Sequence, residues 1–126
     1  MTRWFRRFAR KECLAEKALC DAVRRAEHGQ IDADLGGGVI KQRVARAGQG
    51  KSGGYRMIVL YRSPSRAIFA YGFAKSRKQD LAPDELDTYR ELAKAYLALA
   101  ERAMDNYVAD GVLFEVDYDE PEDQDR

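Results

Sequence analysis

VIKQRVAR at 39–46, GYRMIVLYR at 54–62 and RAIFAYGFA at 66–74 are three strand-like segments whose reading decides the fold. In the first, Lys41 and Arg43 alternate with Ile40, Gln42 and Val44, so the cations share one face of a strand. The second is a strong central strand, and Ser63-Pro64-Ser65 turns the chain from it into the third. GQGKSGG makes the longer loop between the first two. Short connections between neighbours predict an antiparallel meander. Its aromatics, Tyr55, Tyr61, Phe69, Tyr71 and Phe73, are expected in the core on one face, with one or two at most free to stack on bases.

Upstream, RWFRRFA at 3–9 reads as an opening edge strand, with a basic amphipathic membrane anchor as the other reading. From Glu12 to Glu27 the residues Leu14, Ala15, Ala18, Leu19, Ala22, Val23 and Ala26 recur at helical spacing, and Gly29 ends that helix. Residues 30–35 read as a further helical turn, broken by Gly36–Gly38. Downstream, Pro83 near the first helical position, with Asp84, Glu85 and Asp87 beside it, opens the longest helix. Leu86, Tyr89, Leu92, Ala93, Tyr96, Leu97 and Ala100 carry its apolar stripe to about Met104. VLFEV at 112–116 reads as a short final strand. The order β-α-(α)-β-β-β-α-β predicts an α+β domain over 1–116: an antiparallel sheet meander with the helices packed together on one side, and a long C-terminal helix. The acidic stretch 117–126, DYDEPEDQDR, is expected to be a disordered tail.

No run approaches the roughly 18 apolar residues of a membrane span, and the basic start lacks the apolar stretch of a secretory signal. Cys13 and Cys20, two turns apart on the predicted helix, are too far apart for a disulfide and read as reduced core residues of a cytoplasmic protein. His28 is the only histidine, so neither a metal nor any other cofactor is expected.

Charge is distributed unevenly. Residues 1–78 hold 18 Lys/Arg against 6 Asp/Glu, and residues 79–126 hold 4 against 15. Between Asp34 and Asp80 there is no carboxylate, yet there are ten cations and five aromatics. That pattern fits a polyanion partner, most often nucleic acid. Residues 45–52, AlaArgAlaGlyGlnGlyLysSer, match a loose phosphate-loop pattern, but a Gly-Gly and a strand follow where a helix is required. Nucleotide hydrolysis is therefore set aside, and Lys51 reads as a loop cation reaching a nucleic-acid phosphate.

IKQRVARAGQGKSGGYRMIVLYR, then FAYGFAKSRKQDLAPDEL and a helix, resembles the RelE/HigB branch of the RelE/ParE toxin superfamily, closely over about residues 35–100. The resemblance implies a type II toxin, an mRNA interferase that inhibits translation, working in the ribosomal A site and held inactive by a cognate antitoxin. Operator DNA would be met only through that antitoxin. Arg56 in GGYR matches the family's strand arginine that contacts the scissile phosphate. Lys41 and Arg43 match its pair of basic residues on the preceding strand, and Lys75 in GFAK a basic position at the end of the next strand. Arg77 and Lys78 keep basic character nearby, and with Arg46 and Lys51 are assigned to RNA binding. The best-known members have an arginine and a tyrosine where this chain has Ser76 and Ala82, which leaves base stacking and leaving-group protonation unassigned.

Cleaving RNA without a metal requires a base for the 2′-OH, charge stabilisation at phosphorus and an acid for the 5′-oxygen. Arg43 and Arg56 suit a phosphate fork. A lysine serves as base only when desolvation and neighbouring cations pull its pKa from about 10.4 toward 7; Lys41 or Lys75 is the expected one. Plainer readings stand beside these: Lys41 and Arg43 lining an exposed strand, Arg56 paired with an acid of the long helix, Lys51 a simple loop charge. Two other functions remain open, a ParE-like poison of DNA gyrase and a noncatalytic RNA-binding regulatory domain.

Overall fold

The computed structural model describes residues 1–45, 54–62, 66–78 and 80–116. Its helices are α1 (Arg3–Lys11), α2 (Glu16–Glu27), α3 (Pro83–Leu97) and α4 (Glu101–Ala109). Between them lies an antiparallel sheet in sequence order: β1 (Ala33–Gly36), β2 (Val39–Val44), β3 (Tyr55–Arg62) and β4 (Arg66–Ala74). The result is the expected α+β meander, but the helices cover both faces of the sheet rather than one, because successive strand residues are apolar toward both sides.

One face packs Ile40, Val44, Tyr55, Met57, Val59 and Phe69 against Phe5 and Ala9 of α1 and Leu19, Ala22 and Ala26 of α2. The other packs Val39, Ile58, Leu60, Ile68 and Phe73 against Ala93 and Leu97 of α3. Each fully buried large side chain, such as Phe5 or Leu60, contributes about 1.5–3 kcal/mol by leaving water. A bulge in β4 sets the division. Ile58 pairs with Tyr71 and Val59 with Phe69, so Ala70 is an extra residue and the alternation shifts phase there. The five strand aromatics are consequently split: Tyr55, Tyr61 and Phe69 belong to the α1/α2 core, Tyr71 and Phe73 to the α3 core.

Several expected elements differ. Residues 3–9 form a helix, not an edge strand. Trp4, Phe5, Phe8 and Ala9 are one helical turn apart in pairs, and the Thr2 hydroxyl accepts the Phe5 N–H at 3.1 Å as an N-cap. The helix expected over 12–27 begins only at Glu16, because Cys13 sits at φ 57. Cys13 is therefore outside the helix and exposed, while Cys20 is buried. Residues 30–35 do not make a helical turn; β1 starts at Ala33 and returns into β2 through Gly36, Gly37 and Gly38, all with positive φ. The long C-terminal helix ends at Leu97. Arg66 donates to the carbonyls of Tyr96 and Leu99, both at 2.8 Å, and so closes off the end of α3 before α4 begins. Residues 112–116 make only an isolated bridge, Thr2 to Leu113, with the Phe114 N–H donating to the Met1 carbonyl at 2.8 Å. The phosphate-loop-like stretch lies, apart from Ala45, outside the described residues, as does the acidic tail 117–126.

Candidate nucleic-acid interface

The uninterrupted register of β2 on β3 builds the site. Arg43 lies directly opposite Arg56, which lies opposite Phe73 of β4. The next row is Lys41, Ile58 and Tyr71. Alternation puts all six on the α3 face, at the end of the sheet where β2 ends and β3 begins. α3 covers the other end, where Leu97 and Ala93 meet Gly38. Like charges facing across a ladder disfavour the pairing, so the Arg43–Arg56 pair is not what packing alone would select. Arg43 is exposed, whereas Arg56 is buried at 6% and is engaged by neighbours rather than being a free charge.

The approach to α3 lays two carboxylates over these cations. Asp80 pairs with Lys41 at 3.1 Å. Partial burial raises the Asp80 carboxyl, but the Leu81 N–H and the Lys41 ammonium outweigh it and hold the group below the ordinary carboxylate range. Both oxygens of Glu85 accept from Lys78 at 2.7 Å, and one also accepts the Ala82 N–H at 2.8 Å. These bonds hold Glu85 low, and the same contact raises Lys78. Lys78 stands 5.6 Å over the Tyr71 ring. Tyr71 in turn stacks on Tyr89, whose hydroxyl is pushed up to about 12 by burial and by the nearby Tyr71 and Glu85.

Lys41, Arg43 and Arg56 thus share one sheet face, with Lys78 beside them. Lys75 is exposed in the turn after β4, at the same end, its N–H bonded to Gly54 at 3.2 Å. Arg77 falls elsewhere, at the β4 edge beside α1. Arg46 and Lys51 lie outside the described residues. Ser76 is exposed in the same turn as Lys75, and Ala82 is the residue before α3. The sequence reading did not anticipate that Asp80 and Glu85 would be the site's counter-ions. The one available signal was their position, first and third among the carboxylates that follow the acid-free stretch. A second concavity, of about 430 Å³ between α2, α4 and the C-terminal segment, is rimmed by Glu27, Glu101, Asp105 and Glu115. That rim repels phosphate, so the cationic sheet end is the better candidate.

An antiparallel meander between helices, with cations gathered at one end, defines an α+β domain consistent with the RelE-like fold. The family model described as "RelE toxin of RelE / RelB toxin-antitoxin system" matches residues 1–116, and the chain belongs to that family. It is accordingly a toxin of a toxin–antitoxin system, with an antitoxin as partner. No curated protein and no solved structure matches the chain. Among the described residues no helix is long and apolar enough to cross a membrane.

Proposed function

We propose that this toxin is an mRNA endoribonuclease that cuts without a metal ion while the ribosome presents the message. The observation that carries the reading is the Arg43–Arg56 pair, flanked by Lys41 on the same face and Lys75 at the same end. Two arginines at opposite positions of the ladder, on one face, are relieved by an anion beside them, and planar guanidinium forks match phosphate oxygens. In the reaction the 2′-oxygen bonds to phosphorus, the bond from phosphorus to the 5′-oxygen breaks, and a cyclic phosphate remains. Lys41 or Lys75, deprotonated, takes the hydroxyl proton; a protonated lysine of the same group gives one to the leaving oxygen. For Lys41 this requires the Asp80 pair to open and the ammonium to give up its proton, since a phosphate in place of Asp80 would hold the charge as the carboxylate does. Ser76 and Ala82 supply neither a stacking ring nor a cation, so positioning by the ribosome, worth on the order of several kcal/mol, fits this site well. The antitoxin would hold the toxin inactive and carry any contact with operator DNA.

The test is to map RNA 5′ ends after brief induction. Codon-phased cuts are expected with the wild type and not with Arg56→Ala or Arg43→Ala. A DNA-damage response with intact RNA would overturn the reading in favour of a gyrase poison. RNA binding with neither response would leave a noncatalytic binder.

A further inference from the structure

We infer that single-stranded RNA leaves the cationic sheet end over the β4 edge and runs along α1, with Trp4 as the platform on which a base stacks. This rests on the ribonuclease reading above and extends it to the path of the substrate.

Trp4 is the only tryptophan and, among the described residues, one of the two large apolar side chains that are exposed, at 41%. Its ring lies 5.4 Å from Phe8 at 14°, and 4.5 Å from Tyr71. Tyr71 belongs to the cation face and stacks on Tyr89. An unbroken line of rings therefore passes from α3, beneath Lys78, around the sheet edge and onto α1. Beyond Trp4 an open groove of about 630 Å³ is lined by Phe8 together with Arg7, Arg10, Lys11 and Arg77.

The cations of α1 are divided between two tasks. Arg3 donates to the Gly111 carbonyl at 2.8 Å, and Arg6 sits 4.4 Å over the Phe114 ring, so these two tie down the C-terminal segment. Arg7, Arg10 and Lys11 line the groove, and among the described residues neither they nor Arg77 forms an ion pair. The one carboxylate there, Glu12, is occupied by the Tyr55 hydroxyl at 2.7 Å. The helix is seated closely: a Cβ on Gly72 would stand 2.7 Å from the Phe8 ring. Aromatic faces with flanking cations and no free acid are what sequence-tolerant binding of single strands requires. A lipid surface fits less well, because ring contacts with Phe8 and Tyr71 hold Trp4 in place and the groove beside it is lined with arginines. The groove reaches Phe73, the cross-strand neighbour of Arg56.

Trp4 fluorescence reports on the path directly. The full chain is titrated at low salt with a single-stranded RNA fully 2′-O-methylated, which lacks the nucleophile and is not cut. Saturable quenching is expected. By anisotropy of a labelled copy, Trp4→Ala should weaken binding on the order of tenfold while Trp4→Phe, which keeps a stacking face, stays near wild type. Arg7→Gln with Arg10→Gln should flatten the dependence of log K on log salt by roughly 0.7 per charge removed. Circular dichroism of each variant separates loss of contact from loss of fold. Binding with unchanged fluorescence and unchanged Trp4→Ala affinity would overturn the path; if codon-phased cutting persisted, the ribonuclease reading would stand. Quenching by phosphatidylglycerol vesicles but not by RNA would overturn it in favour of a lipid surface. No RNA binding together with no cutting would remove both.

Discussion

Arg43 and Arg56 illustrate how a residue's role depends on its neighbour across the ladder. On its own strand each is one of two cations; the register of β2 on β3 makes them a pair. Removing one preorganised charge donor from such a site costs about 10²–10³ in turnover. Arg56→Ala and Arg43→Ala should each abolish growth arrest, and Arg56→Lys should rescue little, since an ammonium cannot fork. RNA 5′-end yields after induction, compared at equal soluble protein, check this. Gln42 sits on the same strand with the opposite task. It is buried, donates to the Ala22 and Gln30 carbonyls at 2.9 and 3.2 Å, and accepts the Asp32 N–H at 2.7 Å. It therefore ties α2 and the start of β1 to the sheet. Gln42→Leu keeps the volume but strands three backbone groups, each costing about 1–3 kcal/mol when left unpaired. A drop in Tm on the order of 10 °C is expected in a thermal melt, with codon specificity unchanged in whatever protein remains folded.

At the scale of the element, the approach to α3 and its first turn neutralise two of the cations. Asp80, just before the helix, pairs with Lys41, and Glu85 in its first turn pairs with Lys78; on the proposed reading an incoming phosphate competes with both. Glu85 and Asp80 have folded pKa values below the ordinary carboxylate range. Their contribution to stability is therefore present above about pH 4 and is lost as pH falls through the lower folded values. In an NMR titration Lys78→Met should move Glu85 back up toward its ordinary value. Asp80→Asn should tighten binding of uncleavable RNA at low salt, at a stability cost of at most about 1 kcal/mol for so exposed a pair; unchanged affinity would mean that Asp80 does not compete with phosphate. The strands that hold Lys41, Arg43 and Arg56 were legible because period-two alternation and turn residues agree there. Helix α1 was not. Its apolar residues at 4, 5, 8 and 9 over only nine residues mimic an imperfect strand, and the Thr2 cap that settles the matter is one residue outside the segment. The break after Leu97 was hidden too, because it depends on Arg66, about thirty residues earlier, capping carbonyls that no local pattern identifies.

For the whole molecule, the uneven charge of the chain was legible from composition, but its layout was not. Of the ten cations in the acid-free stretch, Arg62 and Arg66 end at the far end of the sheet, where Arg66 serves α3 and Glu101. Arg77 turns toward α1, and only a subset gathers beside Arg56. Sequence separation does not reveal which strand end a cation occupies; register does. The acidic C-terminal stretch raises the last question of layout. Residues 117–126 lie outside the described residues, but the segment leading to them is fixed beside α1 by Arg3 on Gly111 and Arg6 on Phe114. Ten further residues reach at most roughly 35 Å, and their anchor is on α1, the helix that also lines the groove. They carry six Asp/Glu against one Arg, so as a tethered polyanion they would compete with RNA for Arg7, Arg10, Lys11 and Arg77. Deleting residues 117–126 should then tighten binding of uncleavable RNA at low salt. The gain should shrink as salt approaches 1 M, where the screening length falls to about 3 Å. It should also disappear in the Arg7→Gln, Arg10→Gln background if the groove is where the tail acts. A deletion that leaves affinity unchanged at every salt concentration would reduce the tail to a solubilising appendage. A gain that survives in that background would move its target to the sheet end, where Lys41 and Lys78 already have their own carboxylates.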